Sequence, residues 1–218
     1  MLRQQAFVTS VNLVRAAGAS VLLLFNGSDW DTRSIFREGP HGQQRWTRRP
    51  ARHQATVEEA WTATEYDPRT RDWYRKATTR PTPFWSPLAY RFMTTGDYGL
   101  TYTIPVRKEN VFLGVVSVDV KTEEFTTAAW RIHPTPGSRV MVLDAQGGAL
   151  TLPRTPEYQT AKHRAGAYLR KIDRDFLPEL LPLLNSAPPS AVPGYFSASR
   201  LFAWQGLEWK LTALIPEE

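Results

Sequence analysis

The chain has 218 residues, enough for one large domain or two small ones, and its 42% hydrophobic and 12% aromatic content provides a real core and excludes disorder outside short proline-rich loops. It has no cysteine, which excludes a disulfide framework and any thiolate nucleophile or metal ligand. A net charge of +6 raises a nucleic-acid reading, but the densest basic run, Arg45-Trp46-Thr47-Arg48-Arg49-Pro50-Ala51-Arg52, reads as a solvated loop, with no helix-turn-helix, zinc-finger or RNA-recognition signature beside it.

In chain order, residues 2–16 read as a helix with Phe7, Val11 and Val14 on one stripe, closed by Gly18. Ser20–Phe25 reads as a buried strand, and Asn26-Gly27 is a hairpin signal that predicts a return strand near Arg33–Arg37. Gly39-Pro40-His41-Gly42 reads as a loop, Gln44–Arg48 as a strand, and Thr56–Thr64 as a short helical piece holding Glu58 and Glu59. A helix is expected to start at Pro68, where a missing N–H does no harm, and to run to about Thr78 before Pro81 and Pro83 stop it. Trp73, Tyr74 and Ala77 then share one face. Tyr98–Val106 alternates, with Leu100, Tyr102, Ile104 and Val106 on one side and Thr101 and Thr103 on the other, as a half-buried antiparallel strand does. Lys108-Glu109-Asn110 turns the chain into a valine-rich strand, Val111–Val120. A helix from Thr122 to about Arg131 follows, and Pro134 and Pro136 mark a boundary.

Beyond that boundary the opening repeats. Ser138–Leu143 is a strand, Asp144-Ala145-Gln146-Gly147 a turn and Gly148–Leu152 a return strand, a weak internal repeat consistent with two modules of one fold. Helices are expected at about Tyr158–Ile172 and Arg174–Asn185, the second kinked by Pro178 and Pro182. Pro188, Pro189 and Pro193 form a loop before a hairpin of Tyr195–Trp204 and Glu208–Ile215 across Gln205-Gly206-Leu207. Strands and helices mix without strict βαβ alternation, so the fold class is α+β, an antiparallel sheet carrying helices.

The chemistry concentrates in Tyr66-Asp67-Pro68-Arg69-Thr70-Arg71-Asp72-Trp73-Tyr74. The planar fork of Arg71 suits a carboxylate, taken through two parallel hydrogen bonds, and the Trp73 and Tyr74 rings offer donors and apolar walls. The same residues also suit a short helix packed into a core. Asp119 has two readings: the carboxylate that meets an ammonium, or the cap of the helix beginning at Thr122. Trp85 either walls a pocket or belongs to the core. Tyr102 and Thr101 lie on a strand beside the site, and the alternation leaves open which face points inward. Enzyme chemistry finds no support. The four histidines, His41, His53, His133 and His163, lack metal-ligand spacing, and nucleophile-elbow, phosphate-loop and dinucleotide motifs are missing. No cofactor is expected.

Tyr66, Arg71, Trp73, Tyr74 and Ala77, followed by Trp85-Ser86-Pro87, the threonine-rich stretch Leu100–Val106 and Gly114-Val115-Val116-Ser117-Val118-Asp119, resemble the signature of the double Cache family. Its members are the extracytoplasmic ligand-binding domains of bacterial receptors. The resemblance covers about residues 20–216, its second half in pattern only. It implies two tandem PAS-like modules, each an antiparallel sheet flanked by helices, behind an N-terminal helix. The division would be 1–17 the end of a stalk helix, 18–120 a membrane-distal ligand-binding module, 121–134 a connector and 135–216 a membrane-proximal module. It implies Tyr66, Arg71, Trp73 and Tyr74 around a ligand carboxylate and Asp119 on its amine. A tyrosine that amino-acid-binding members carry soon after the Ser-Pro segment is replaced here by Leu88 and Ala89. The ligand class therefore stays open among amino acids, amines and small carboxylates.

No apolar run approaches the roughly 20 residues of a membrane span, and Met1-Leu2-Arg3-Gln4-Gln5 leads into an amphipathic segment rather than a signal peptide. The expectation is a soluble portion of a longer, membrane-anchored periplasmic receptor, with a homodimer through the N-terminal helix. Its output, a histidine kinase, a chemoreceptor or a diguanylate cyclase, would lie outside this chain. The competing readings are a structural module without a small-molecule ligand and a basic nucleic-acid-binding protein.

Overall fold

The computed structural model describes residues 8–39, 41–49, 55–132, 134–185, 192–204 and 207–217. The first element is β1, Ser10–Arg15. This corrects the expected helix over 2–16; residues 1–7 of that segment lie outside the described residues. The physical reason is tertiary. β1 is clamped between two strands, Ser10 pairing with Asp119 on one side and Leu24 on the other, and such pairing overrides local periodicity. Val14 faces the core while Leu13 is 51% exposed, a period of two rather than 3.6. The N-terminal helix that was to carry a homodimer is thus a central strand over residues 10–15.

Next come β2 Ser20–Phe25, β3 Trp30–Glu38, β4 His41–Arg48, β5 Val57–Glu58 and β6 Thr62–Thr64. The β2–β3 hairpin turns where Asn26-Gly27 predicted it. The Asn26 side-chain oxygen accepts from the backbone N–H of Ser28 and Asp29, and Gly27 takes φ 97°. Two expectations fail here. The loop at 39–42 is taken over by β4 from His41, and the helical piece at Thr56–Thr64 is instead two short strands pairing with β4. A 3-10 turn at Pro68–Thr70 leads into α1, Asp72–Thr79. Then follow β7 Phe84–Trp85, β8 Tyr90–Arg91, β9 Tyr98–Lys108 and β10 Val111–Lys121. Glu109 and Asn110, at φ 51° and 67°, make the β9–β10 turn. The remaining elements are α2 Thr122–Ala129, β11 Arg139–Asp144, α3 Ala161–Ala167, α4 Leu181–Asn185, β12 Tyr195–Trp204 and β13 Leu207–Pro216.

The chain divides into two units. The first takes the described part of Met1–Ser86 together with Thr101–Val120; the second takes Pro87–Leu100 and the described part of Lys121–Glu218. The first unit is a run of strands in the order β5-β4-β3-β2-β1-β10-β9-β7, with β6 on β4. One face of it can be read from the register, because directly opposed residues share a face. Asp31, Leu24, Ser10 and Asp119 form one row across β3, β2, β1 and β10. Arg33, Leu22, Asn12 and Ser117 form the next, and Ile35, Ser20, Val14 and Val115 the third. The third row is largely apolar core; the first two rows are mostly polar, yet most of their members are buried.

In the second unit β11, β13 and β12 form an antiparallel sheet in that order. Its core gathers Met141, Leu143, Leu152, Tyr158, Phe176, Leu180, Leu183 and Leu214. The hairpin at Tyr195–Trp204 stands as predicted, although Gln205 and Gly206 lie outside the described residues, as do Pro188 and Pro189. The expected return strand at Gly148–Leu152 is reduced to isolated bridges, Leu143 to Ala149 and Gly148 to Lys171. The predicted helix from Tyr158 to Ile172 shrinks to α3, after which Leu169 takes φ 63°. Within this unit Arg164 grips Glu123 through Nε (2.9 Å), and Tyr168 donates to the same carboxylate at 2.8 Å, tying α3 to α2.

Candidate functional site

All seven residues singled out from the sequence, Tyr66, Arg71, Trp73, Tyr74, Trp85, Tyr102 and Asp119, fall in the first unit. The loop before α1 is held from both ends. Asp67 caps the 3-10 turn by accepting from the Arg69 N–H at 2.9 Å, and its carboxylate pairs with Arg69 (2.8 Å) and Arg37 (3.5 Å). The Arg69 hydrogen bond, first among the causes, holds the Asp67 carboxyl below the usual carboxylate range. Arg37 also donates to the Tyr66 carbonyl at 2.9 Å. Pro68 therefore opens a 3-10 turn rather than α1 itself, and Arg71 becomes the residue that caps α1. Its extended backbone (ψ 145°) lets its carbonyl accept from the N–H groups of Tyr74 and Arg75, both at 3.0 Å. Among the described residues no carboxylate forms an ion pair with the Arg71 guanidinium.

Asp119 sits near the end of β10, opposite Ser10. Its Oδ2 accepts from Ser10 Oγ at 2.5 Å and from Asn12 Nδ2 at 3.4 Å, and its Oδ1 accepts from Thr101 Oγ1 at 2.6 Å. Burial raises its pKa, and the three hydrogen bonds oppose that rise. The helix-cap reading fails: the residue capping α2 is Lys121, and no side chain makes the cap. Asp119 is instead a carboxylate held by hydroxyl and amide donors, with no cation paired to it among the described residues.

Tyr66 links the two ends. Its phenol pKa is raised, first by burial and further by Asp119, while Arg33 and Arg71 pull it down, so both cations and the carboxylate lie within its electrostatic reach. Arg33 is a residue the sequence reading missed. Its guanidinium stands 4.7 Å from the Tyr66 ring centroid and 5.6 Å from that of Trp46. The signal was present in the sequence: Asp31, Arg33 and Ile35 are the buried positions of an alternating strand, and a charge in such a position is exceptional.

The other predicted residues divide. Trp73, Tyr74 and Ala77 form the buried face of α1, as their spacing predicted. Tyr74 packs edge-on against Phe112 with ring centroids 5.6 Å apart, and the charges it feels are Arg69 and Asp67, not Arg71. Its place is the seam between α1 and β10. Tyr102 and Trp85 are directly paired across β9 and β7, their rings 5.0 Å apart. Thr101, next to Tyr102, points at Asp119, so strand alternation puts Tyr102 and Trp85 on the opposite face of the sheet. The structure does not bring this pair to Asp119. The threonine face of β9 is the one turned to the site, with Thr101 and Thr103 fully buried.

Two arginines of the basic run are ion-paired, and a third is hydrogen-bonded within the fold. Arg45 pairs with Glu58 (3.1 Å) and Arg48 with Glu59 (3.0 Å) and Asp31 (3.3 Å), while Arg49 donates to the Trp30 carbonyl at 2.7 Å. Pro50, Ala51 and Arg52 lie outside the described residues. In the second unit a cavity of about 350 Å³ is lined by Arg139, Tyr158, Arg170, Phe176 and Glu179 among others, none of them a residue predicted for ligand contact. No described helix is long and apolar enough to cross a membrane.

Residues 42–127 match the family described as methyl-accepting chemotaxis protein-like, first PDC sensor domain. Among solved structures, the chain resembles the ligand-binding domain of the Pseudomonas aeruginosa PAO1 amino acid chemoreceptor PctC in complex with GABA. The identity is 20% over 98% of this chain and 78% of that one, at a TM-score of 0.55. It also resembles the ligand-binding domain of the Pseudomonas fluorescens chemoreceptor CtaA in complex with L-leucine, at 14% identity over 96% and 71% of the two chains and a TM-score of 0.55. A third is that of the Campylobacter jejuni chemoreceptor Tlp3 in complex with L-norvaline, at 17% identity over 97% and 67% and a TM-score of 0.52. At such identities the likeness is one of fold. No curated protein matches the chain.

Proposed function

We propose that this chain is a sensor domain of the Cache type whose first unit binds a small molecule carrying a carboxylate and an amine, an amino acid or a close relative. The observation that supports this most is the pairing of charges left open in the first unit: the Arg71 guanidinium at the start of α1, with no carboxylate paired to it among the described residues, and the half-buried Asp119 carboxylate, held only by hydroxyl and amide donors. A zwitterion presents the complementary pair. Its carboxylate would take the Arg71 fork, and its ammonium would donate to Asp119. The GABA, L-leucine and L-norvaline in the three related structures are all molecules of this kind.

The domain would lie outside the cytoplasm as part of a membrane-anchored receptor. Ligand would favour one of two arrangements of the receptor, and a cytoplasmic output such as a chemoreceptor signalling region, a histidine kinase or a diguanylate cyclase would read the change. The pairing of Arg45, Arg48 and Arg49 with acidic side chains and a backbone carbonyl weighs against the nucleic-acid alternative.

The test is a thermal-shift screen of the purified chain against amino acids, amines and small carboxylates, followed by titration calorimetry. A ligand specific to the native state stabilises it by about 2.7 kcal/mol at a hundredfold excess over its Kd. Arg71→Ala and Asp119→Ala should each abolish the shift while leaving the fold intact. Unchanged affinity in both variants would remove the site assignment.

A further inference from the structure

Arg33 is only 9% exposed; its guanidinium hydrogen-bonds the Tyr66 phenol, and its Nε has no hydrogen-bond partner among the described residues. Three carboxylates of the first unit are already engaged elsewhere. Asp31 is held by Arg48, Asn26 and the Arg49 N–H; Asp67 by Arg69 and Arg37; Asp119 by Ser10, Asn12 and Thr101. No carboxylate among the described residues forms an ion pair with Arg33. A buried cation without a counter-charge costs several kcal/mol, and arginine does not escape the cost by giving up its proton. The flanking Trp46 and Tyr66 rings recover about 0.5–2 kcal/mol each, which does not replace an anion.

The neighbourhood of Arg33 is polar as well as charged. In the register of the sheet Arg33 shares its row with Asn12, which donates to Asp119, and with Ser117. Ser117 Oγ and, on β9, Thr103 Oγ1 are fully buried and have no partner among the described residues. A leucine-like side chain seated on this face would press methyl groups against a guanidinium with no ion-pair partner and two hydroxyls with no hydrogen-bond partner among the described residues. The charges also fail to cancel for a neutral zwitterion. Arg33 and Arg71 bring two positive charges and Asp119 one negative, so a ligand with a net charge of −1 balances the site.

We propose that Arg33 selects the ligand by binding a second carboxylate, so that the sensed class is the acidic α-amino acids, of the size of aspartate and glutamate. This rests on the reading of Arg71 and Asp119 as the clamp for the α-carboxylate and the ammonium. Arg33 would then be a specificity-determining residue at the far end of the ligand.

The experiment is calorimetric titration of the purified chain with L-aspartate, L-glutamate, L-asparagine, L-glutamine, L-leucine, GABA and succinate. One of the two acids should bind on the order of tenfold tighter or more than its own amide, since exchanging a carboxylate for an amide removes one charge-assisted contact. Arg33→Gln should bring the acid-to-amide ratio close to one, and Arg33→Lys should retain part of it. Should either variant fail to fold, the ratio in the unaltered protein still decides. Equal or tighter binding of an amide, L-leucine or GABA would overturn the role of Arg33 and leave the amino-acid sensor standing. Succinate binding as tightly as the amino diacids would overturn the amino-acid class. No binding by any member would remove the clamp and the selection together.

Discussion

Replacing Asp119 with asparagine separates what the residue does for the ligand from what it does for the fold. A carboxylate offers about four acceptor positions on its two oxygens. Three are taken, by Ser10 and Asn12 on Oδ2 and Thr101 on Oδ1, which leaves one for a ligand ammonium. One charge-assisted hydrogen bond is worth about 1.5–3 kcal/mol, so Asp119→Asn should weaken ligand binding about 10- to 150-fold. An asparagine keeps a single acceptor oxygen, which its present donors would saturate, and turns an NH2 group toward the site.

The pH dependence of stability carries the second effect. The carboxyl pKa is raised by burial, so the folded protein holds this proton more tightly than the unfolded chain. The charged form therefore costs stability above the folded pKa, and the cost disappears as the pH falls through that value toward the unfolded 3.8. Relative to the unaltered protein, the ligand-free Asp119→Asn variant should therefore fare better at pH 7 than in acid, on top of a pH-independent loss from the donors that an amide leaves unpaired. Calorimetry with the best-binding amino acid and melting curves at several pH values measure both effects. Unchanged affinity, or a lower melting temperature at pH 7 than at pH 4 relative to the unaltered protein, would refute the reasoning.

Other expectations use the same two readouts. Asp67 has its pKa lowered chiefly by the Arg69 hydrogen bond, so its contribution is present above 3.8 and is lost as the pH falls through the folded value. Asp67→Asn should therefore flatten the acid limb of a plot of melting temperature against pH. Trp85→Ala should leave ligand affinity within about twofold, since the ring stands on the far face of the sheet, yet lower the melting temperature by loss of an aromatic contact worth about 0.5–1.5 kcal/mol beyond its buried area. Gly114→Ala would place a Cβ 2.1 Å from the Val14 carbonyl oxygen across the β1–β10 seam, and should cost about 2 kcal/mol or more in chemical denaturation.

What the sequence reveals depends on how local the cause is. The Asn26-Gly27 turn, the Glu109-Asn110 turn and the buried face of α1 are dictated by neighbours within a few residues, and each stands where it was read. Residues 10–15 were misread because Val11 and Val14 fit a helical stripe as well as a strand, and only pairing with residues more than a hundred positions away decides between them. Val57 and Thr62 likewise belong to edge strands because β4 offers them partners. In the candidate site Tyr66, Arg71 and Asp119 stand out by residue type and spacing, whereas Arg33 reads as one more of the 27 basic residues in the sequence. For Tyr102 and Trp85 alternation alone leaves the face undecided; the hydrogen bond from Thr101 to Asp119 puts that pair on the face turned away from Asp119.

The first unit is interrupted, since the chain leaves it after Ser86 and returns at Thr101, and its β1 is closed on the far side by β10. A ribosome therefore delivers Ser10 early and Asp119 late, 109 residues apart, and the edge of β1 stays open through that interval. Loop closure over such a distance comes late in folding. The carboxylate that would meet a ligand arrives in the strand that completes the unit. A half-made or nicked copy lacks that carboxylate in place, so a ligand that needs it would recognise finished molecules and pass over nascent ones.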